Sequence, residues 1–270
     1  MKNLIFGMAL CLAAVCVCAE EGTTLRLKDR GNTVQRDVYL LMGQSNMAGR
    51  GQLTDANRIL PKDGIMTFDK NNQWVAAVEP LHWDKPAVVG AGLGASFAVE
   101  MQKVSGGREI GLVPCAVGGS YISSWVPGGE LYTNAVARCR AALAAGGTLK
   151  GILWHQGESD GSDSLIPLYE GRLRVLIHAI RTELNMPELP FVAGELTTAS
   201  ERTSEYKFDA ISDITRAVIP TIPNCGFVSS QNLTEGRQMN DDGLHFNTAS
   251  QRTFGQRYAA EMQRIQSAAQ

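Results

Sequence analysis

The chain has 270 residues, 44% of them hydrophobic, enough to bury one sizeable core in a single domain. A formal net charge of -2, with no run of like charge, excludes the basic field that nucleic acid would need and leaves small neutral or acidic partners. No internal repeat or low-complexity tract divides it.

Residues 1–19, MKNLIFGMALCLAAVCVCA, place Lys2 before an apolar core and end in Val17-Cys18-Ala19, small residues where a signal peptidase cuts. They read as a secretory signal removed after about Ala19, which predicts a secreted or periplasmic protein whose folded domain runs over residues 20–270. The stretch from Leu4 to Ala19 is broken by Gly7 and is short for a span of about 20 residues, so no membrane span is expected. Cys11, Cys16 and Cys18 leave with the signal. Cys115, Cys139 and Cys225 have no CxxC spacing and are expected as small buried apolar residues.

In residues 37–47, DVYLLMGQSNM, a continuous apolar run stops at Gly43 and is followed by Gln44, Ser45 and Asn46. A run without alternation suits a strand covered on both faces, and Ser45 then stands just beyond its carboxyl end, either as a reactive group or as the cap of the next helix. Gly43 lets the chain turn sharply enough to leave the serine exposed. From Arg50 to Pro86 the composition predicts a long irregular loop. A helix over about 94–104 leads to a strand over 110–116, which ends in Val117-Gly118-Gly119-Ser120. An Ala-rich helix over about 132–145 stops at Gly146-Gly147, and a strand at 152–154 runs into His155-Gln156-Gly157-Glu158-Ser159-Asp160.

Leu173, Leu176, Ile177, Ile180 and Leu184 then mark one face of an amphipathic helix. A strand at 191–194, a helix over about 209–218 and a strand at 226–228 follow. The last helix starts near Thr248, where Thr248 and Gln251 have capping-box spacing, and buries Phe254, Tyr258, Met262 and Ile265. Strands alternating with helices predict an α/β fold, a parallel sheet of about five strands with helices on both faces.

On this skeleton Ser45, the Gly118-Gly119 pair, the Gln156/Glu158 pair and the Asp242/His245 pair all fall on one edge of the sheet. A serine hydroxyl needs a base to become nucleophilic, and His is the usual base at neutral pH. His178 lies among arginines on the polar face of its helix; His82, in LHWDKP, suits a structural loop contact or the wall of a substrate site; His155 suits a hydrogen-bonded, half-buried role. His245 has Asp242 three residues before it, close enough for the acid to fix the ring's tautomer. Gly90-Ala91-Gly92-Leu93-Gly94-Ala95 formally fits a dinucleotide fingerprint, but it follows only a short apolar run behind a loop and reads better as a helix N-terminus. No GxSxG elbow surrounds Ser45, and no HExxH or similar metal-binding cluster occurs.

GQSNM at 43–47, CAVGGS at 115–120, WHQGESD at 154–160 and DGLHF at 242–246 resemble, in order, the four blocks of the SGNH hydrolase superfamily. More narrowly they are similar to its sialate O-acetylesterase-like branch, which includes the acetylxylan esterases of carbohydrate esterase family six. The resemblance implies a flavodoxin-like α/β/α sandwich that removes acetyl groups from an acetylated glycan without metal or organic cofactor. It implies Ser45 as nucleophile, His245 as base and Asp242 as its acid, with Glu158 as a second carboxylate able to replace or share that role. The Ser45 N–H, a glycine N–H from Gly118 or Gly119 and the Gln156 amide would form the oxyanion hole. Gln44 and Asn46 would flank the substrate. Trp83 and Trp125, in loops expected at the active edge, suit either stacking on a sugar ring or ordinary loop packing. A non-catalytic carbohydrate-binding protein on the same fold is the alternative.

Overall fold

Alternate residues of the apolar run at 38–42 enter two different cores. In the computed structural model this run is the middle of β1 (Arg36–Gly43); Val38, Leu40 and Met42 join one buried cluster, Tyr39 and Leu41 the other. A strand shows its side chains alternately to the two faces, so an unbroken apolar run requires a covered sheet on both sides. The structure describes residues 35–197, 206–233, 240 and 242–268; the signal expected at 1–19 lies outside them.

Beside β1 run β4 (Glu109–Pro114) and β5 (Thr148–His155), both parallel to it, and β6 (Phe191–Gly194) and β7 (Cys225–Val228) extend the sheet beyond β5, again in parallel. These five strands lie in the spatial order β4-β1-β5-β6-β7, the flavodoxin-like order in which the strand sequence reverses beside β1. Among the described residues the sheet has two further strands, β2 (Ile65–Phe68), parallel to β4, and β3 (Trp74–Ala76), antiparallel to β2.

This hairpin falls inside the stretch from Arg50 to Pro86, where an irregular loop was expected. Strands of four and three residues are too short to show a period, and the hairpin is held by its turn. Asp69 Oδ1 accepts the N–H groups of Asn71 (2.9 Å) and Gln73 (2.8 Å), and Asn72 takes the left-handed conformation at φ 58°.

Helices α2 (Leu93–Val104) and α6 (Thr248–Ala268) cover one face of the sheet; α3 (Glu130–Ala144), α4 (Ile166–Glu183) and α5 (Phe208–Val218) cover the other. The capping box expected at Thr248 and Gln251 is not formed. Asn247 Oδ1 accepts the Ser250 N–H at 2.9 Å and does the capping, while the Thr248 hydroxyl donates to Gln52 O and Gln251 Nε2 reaches Asn46 O. The spacing was real, but both side chains bond to the loops beneath the helix. Cys115, Cys139 and Cys225 are free and buried, and no described helix is long and apolar enough to cross a membrane.

Candidate active site

The turn after β1 is forced by backbone crowding. Gly43 has φ 134°, and a Cβ there would lie 2.1 Å from the His155 carbonyl oxygen, which accepts the Gln44 N–H at 2.9 Å. Only glycine permits β1 and β5 to approach so closely at the point where the chain bends. One short helix, α1 (Ser45–Ala48), then begins at the serine itself, so Ser45 stands on its first turn at the carboxyl edge of the sheet. Gly90 and Gly92, from the rejected dinucleotide fingerprint, pack against this turn: the Gly90 N–H donates to Gly49 O, and a Cβ on Gly49 would lie 2.6 Å from Gly92 N. Those glycines serve close packing behind the Ser45 turn and at the start of α2.

Loop 242–247 brings His245 to this turn. His245 Nε2 lies 2.9 Å from Ser45 Oγ, and His245 Nδ1 lies 2.6 Å from Asp242 Oδ2. The other Asp242 oxygen accepts the N–H groups of Leu244 and His245, each at 2.9 Å. Burial pushes this carboxyl up, but those N–H groups and the imidazole outweigh it and hold its pKa below the ordinary aspartate value. Asp242 is therefore an anion at neutral pH, aimed at the ring nitrogen opposite the serine.

Glu158 does not touch His245. It lies buried at the cavity wall, its Oε1 accepting Asn46 Nδ2 at 2.8 Å; Oε2 has no hydrogen-bond partner among the described residues. Burial is the main cause that raises its pKa to about 7, and Asp160 adds to it against the opposing Asn46 bond. Of the two acids the sequence offered, the structure brings Asp242 to His245.

Two of the expected oxyanion donors are engaged elsewhere. Gly118 N–H is already engaged, donating to Asp84 Oδ2 at 2.8 Å. Gln156 Nε2 is engaged as well, donating to Ser120 O (2.9 Å) and Asp160 Oδ2 (2.6 Å), so its amide braces the loop after β4 and does not face Ser45. The N–H groups of Ser45 and Gly119 bond to no acceptor among the described residues, and both residues line the cavity at the serine. Gly119, at φ 80°, carries that N–H in a conformation glycine adopts freely.

Three expected substrate contacts also move. Asn46 is fully buried: besides Glu158 it reaches Leu244 O at 3.4 Å, and its Oδ1 accepts Phe246 N–H at 3.2 Å, which ties the Ser45 turn to the His245 loop. Trp125 is fully buried, packs edge-on against Trp154 and donates its indole N–H to Ser120 Oγ. Trp83 is partly exposed but stands outside the cavity, its ring covered by the Arg138 guanidinium at 4.9 Å. Gln44 does line the cavity, with Oε1 3.5 Å from Gly157 N.

His155 is fully buried rather than half-buried, 3.2 Å from the Tyr258 hydroxyl and edge-on to Phe246 and Phe254; burial holds its pKa down at about 3. His82 is buried too, lowered by burial to about 4 despite Asp84 nearby, a structural loop contact.

The cavity over Ser45 and His245 has a volume of about 450 Å³. Residues missed in the sequence complete it. Arg50 Nη2 pairs with Asp84 Oδ2 at 2.6 Å, both side chains nearly sealed from solvent, at 6% and 1% exposure. Burial raises the Asp84 carboxyl, but Arg50 and the Gly118 N–H outweigh it and leave it below the ordinary value. Arg50 O in turn accepts Asn240 Nδ2 at 2.8 Å, and Asn240 N–H donates to His245 O at 2.8 Å, so one arginine links the glycine turn to the His245 loop. The only signals were Asp84 within LHWDKP and Arg50 just after the serine motif; neither has a spacing that names a role.

A hydroxyl, an imidazole and an anionic carboxylate in line, with free N–H groups beside the hydroxyl, can attack an acyl carbonyl and hold the resulting oxyanion. Comparison with known proteins agrees. A probable carbohydrate esterase of Arabidopsis thaliana is 36% identical over 173 residues, 57% of this chain and 66% of that protein, just under two thirds of its length. The solved structure of an Arabidopsis thaliana protein matches with a TM-score of 0.75 at 30% identity, over 86% of this chain and 98% of the other. The structure of NanS matches with a TM-score of 0.72 at 18% identity, over 87% and 99% of the two chains, a likeness of fold. Residues 35–264 match the model of a family described as carbohydrate esterase, sialic acid-specific acetylesterase; the chain belongs to this family of carbohydrate acetylesterases.

Proposed function

We propose that the protein is a secreted serine esterase that removes O-acetyl groups from carbohydrates through an acetyl-enzyme on Ser45. The observation that carries the reading is the line Ser45 Oγ, His245 Nε2, His245 Nδ1, Asp242 Oδ2, with contacts of 2.9 and 2.6 Å.

Ser45 Oγ attacks the acetyl carbonyl carbon while His245 Nε2 takes its proton, and Asp242 stabilises the imidazolium. The carbonyl oxygen becomes an oxyanion that accepts the N–H groups of Ser45 and Gly119. Collapse breaks the bond to the sugar oxygen, which takes the proton from His245. Water then attacks the acetyl-enzyme with His245 as base, and acetate leaves with Ser45 restored. Family membership supports a carbohydrate ester as substrate, with O-acetyl sialosides and acetylxylan as the two classes to compare. Residues 1–19 support export, with cleavage near Ala19.

The test is acetate release from acetylated xylan and O-acetyl sialosides, with a fluorophosphonate probe. We expect wild type to release acetate from one of them and to be labelled at Ser45, and Ser45→Ala to lose both. A chain that binds these glycans but releases no acetate and takes no label is a carbohydrate-binding protein on the same fold.

A further inference from the structure

Arrangement of the exposed aromatic surface around the cavity points to its ligand. Tyr121 (48% exposed) and Tyr206 (37%), with Val88, are among the few large hydrophobic side chains left in solvent, and all three line the cavity that holds Ser45. An exposed aromatic pair beside a reactive serine leaves apolar faces uncovered at the place where a substrate must sit.

Both tyrosines are anchored, and to the same turn. The Ile122 N–H, next to Tyr121, donates to Asp160 Oδ2 at 2.9 Å, and the Lys207 N–H, next to Tyr206, donates to Gly161 O at 2.8 Å. Asp160 Oδ2 is itself held by Gln156 Nε2 at 2.6 Å, so the glutamine that does not reach the serine fixes the turn from which both rings hang. Tyr206 lies beside the buried Phe208 with centroids 6.2 Å apart and planes inclined by 17°, an offset stack that sets the ring's direction. A ring held in place loses little freedom on binding.

We propose that Tyr121 and Tyr206 form an aromatic subsite that holds the pyranose ring of the substrate against its C–H faces while the ring's acetyl group enters toward Ser45. The subsite rests on the esterase reading above for its orientation, and the sugar-ring role sought in Trp83 and Trp125 passes to these two residues.

The test separates binding from turnover. In a Ser45→Ala background, which keeps an ester intact, calorimetry measures binding of a peracetylated methyl pyranoside to the parent and to versions that also carry Tyr121→Ala, Tyr206→Ala or Tyr206→Phe. In the Ser45 enzyme, acetate release is compared between that pyranoside and vinyl acetate, an acetyl ester with no ring.

We expect each alanine to weaken pyranoside binding by roughly tenfold and to raise KM for it, with vinyl acetate turnover unchanged and Tyr206→Phe close to the parent. Equal losses on both esters, no change on either, or a parent that does not bind the pyranoside would overturn the subsite. Absence of acetate release from both esters in wild type would instead remove the esterase reading, while the binding experiment would still decide the subsite.

Discussion

Asp242 and Glu158 both border the cavity at Ser45, and their surroundings drive them to opposite states. Asp242 receives two backbone N–H groups and a ring nitrogen, and its pKa falls; Glu158 has one oxygen bonded to Asn46, the other without a described partner, and its pKa rises to about 7. A carboxylate that is to stabilise an imidazolium must already be charged when the proton arrives. Nearness to Ser45 therefore does not set the charge of a carboxylate; the number and aim of its donors do.

Asp242→Asn is the strongest way to break this contrast. It keeps the shape and removes the charge beside His245 Nδ1, and loss of the corresponding acid in a serine triad costs about 10⁴-fold in kcat. Steady-state acetate release at neutral pH measures it. A loss below tenfold, accompanied by a large loss in Glu158→Gln, would exchange the roles of the two acids.

Asp84→Ala asks whether the glycine turn depends on its charged support. The substitution removes the acceptor of the Gly118 N–H and leaves Arg50 unpaired, so the neighbouring Gly119 N–H loses its fixed aim. A displacement of about 1 Å at such a site can cost about 10²-fold, which we expect in kcat with KM little changed, in a protein shown to be folded by its thermal melt. Wild-type kcat would mean that Gly119 holds its place without Asp84.

Gln156→Ala has a smaller expected effect than the resemblance alone implies. A lost oxyanion donor costs about 10²–10³-fold, but both N–H groups of this amide bond to Ser120 O and Asp160, so we expect less than tenfold on vinyl acetate and more on a pyranoside. A hundredfold loss on both esters would return Gln156 to the oxyanion hole.

The strand-end serine, the five main parallel strands and the Asp242/His245 pair were all legible in the sequence, because each depends on neighbours in the chain: an apolar run, an alternation of elements, a spacing of three. What the sequence hid depends on where side chains point. Gln156 and Asn46 carry the right chemistry in the right loops, but their amides are spent holding Asp160 and Glu158. Trp125 looks like a loop aromatic until its position against Trp154 makes it core, whereas Tyr121, four residues earlier, reaches the cavity. Arg50 and Asp84 meet across 34 residues, a pairing that no local pattern announces.

Glu158→Gln gives the smallest effect on rate and the most direct reading of the contrast. Glutamine keeps an oxygen for Asn46 Nδ2, so acetate release should stay close to wild type. Stability should not. Below the ordinary glutamate value of 4.5 the carboxyl is protonated in folded and unfolded chains alike, and the substitution changes little. Between 4.5 and about 7 the unfolded chain sheds the proton while the fold retains it, so wild-type stability falls as pH rises through this window, and above about 7 the full cost of a buried charge remains. Glutamine never ionises and escapes that cost. Thermal melts should therefore match near pH 4 and separate at pH 8, with the variant higher by roughly 2–4 °C for each kcal/mol relieved. A variant that melts below wild type at pH 8 would show that the fold uses the Glu158 charge, and the two acids at Ser45 would then be alike in state and different only in aim.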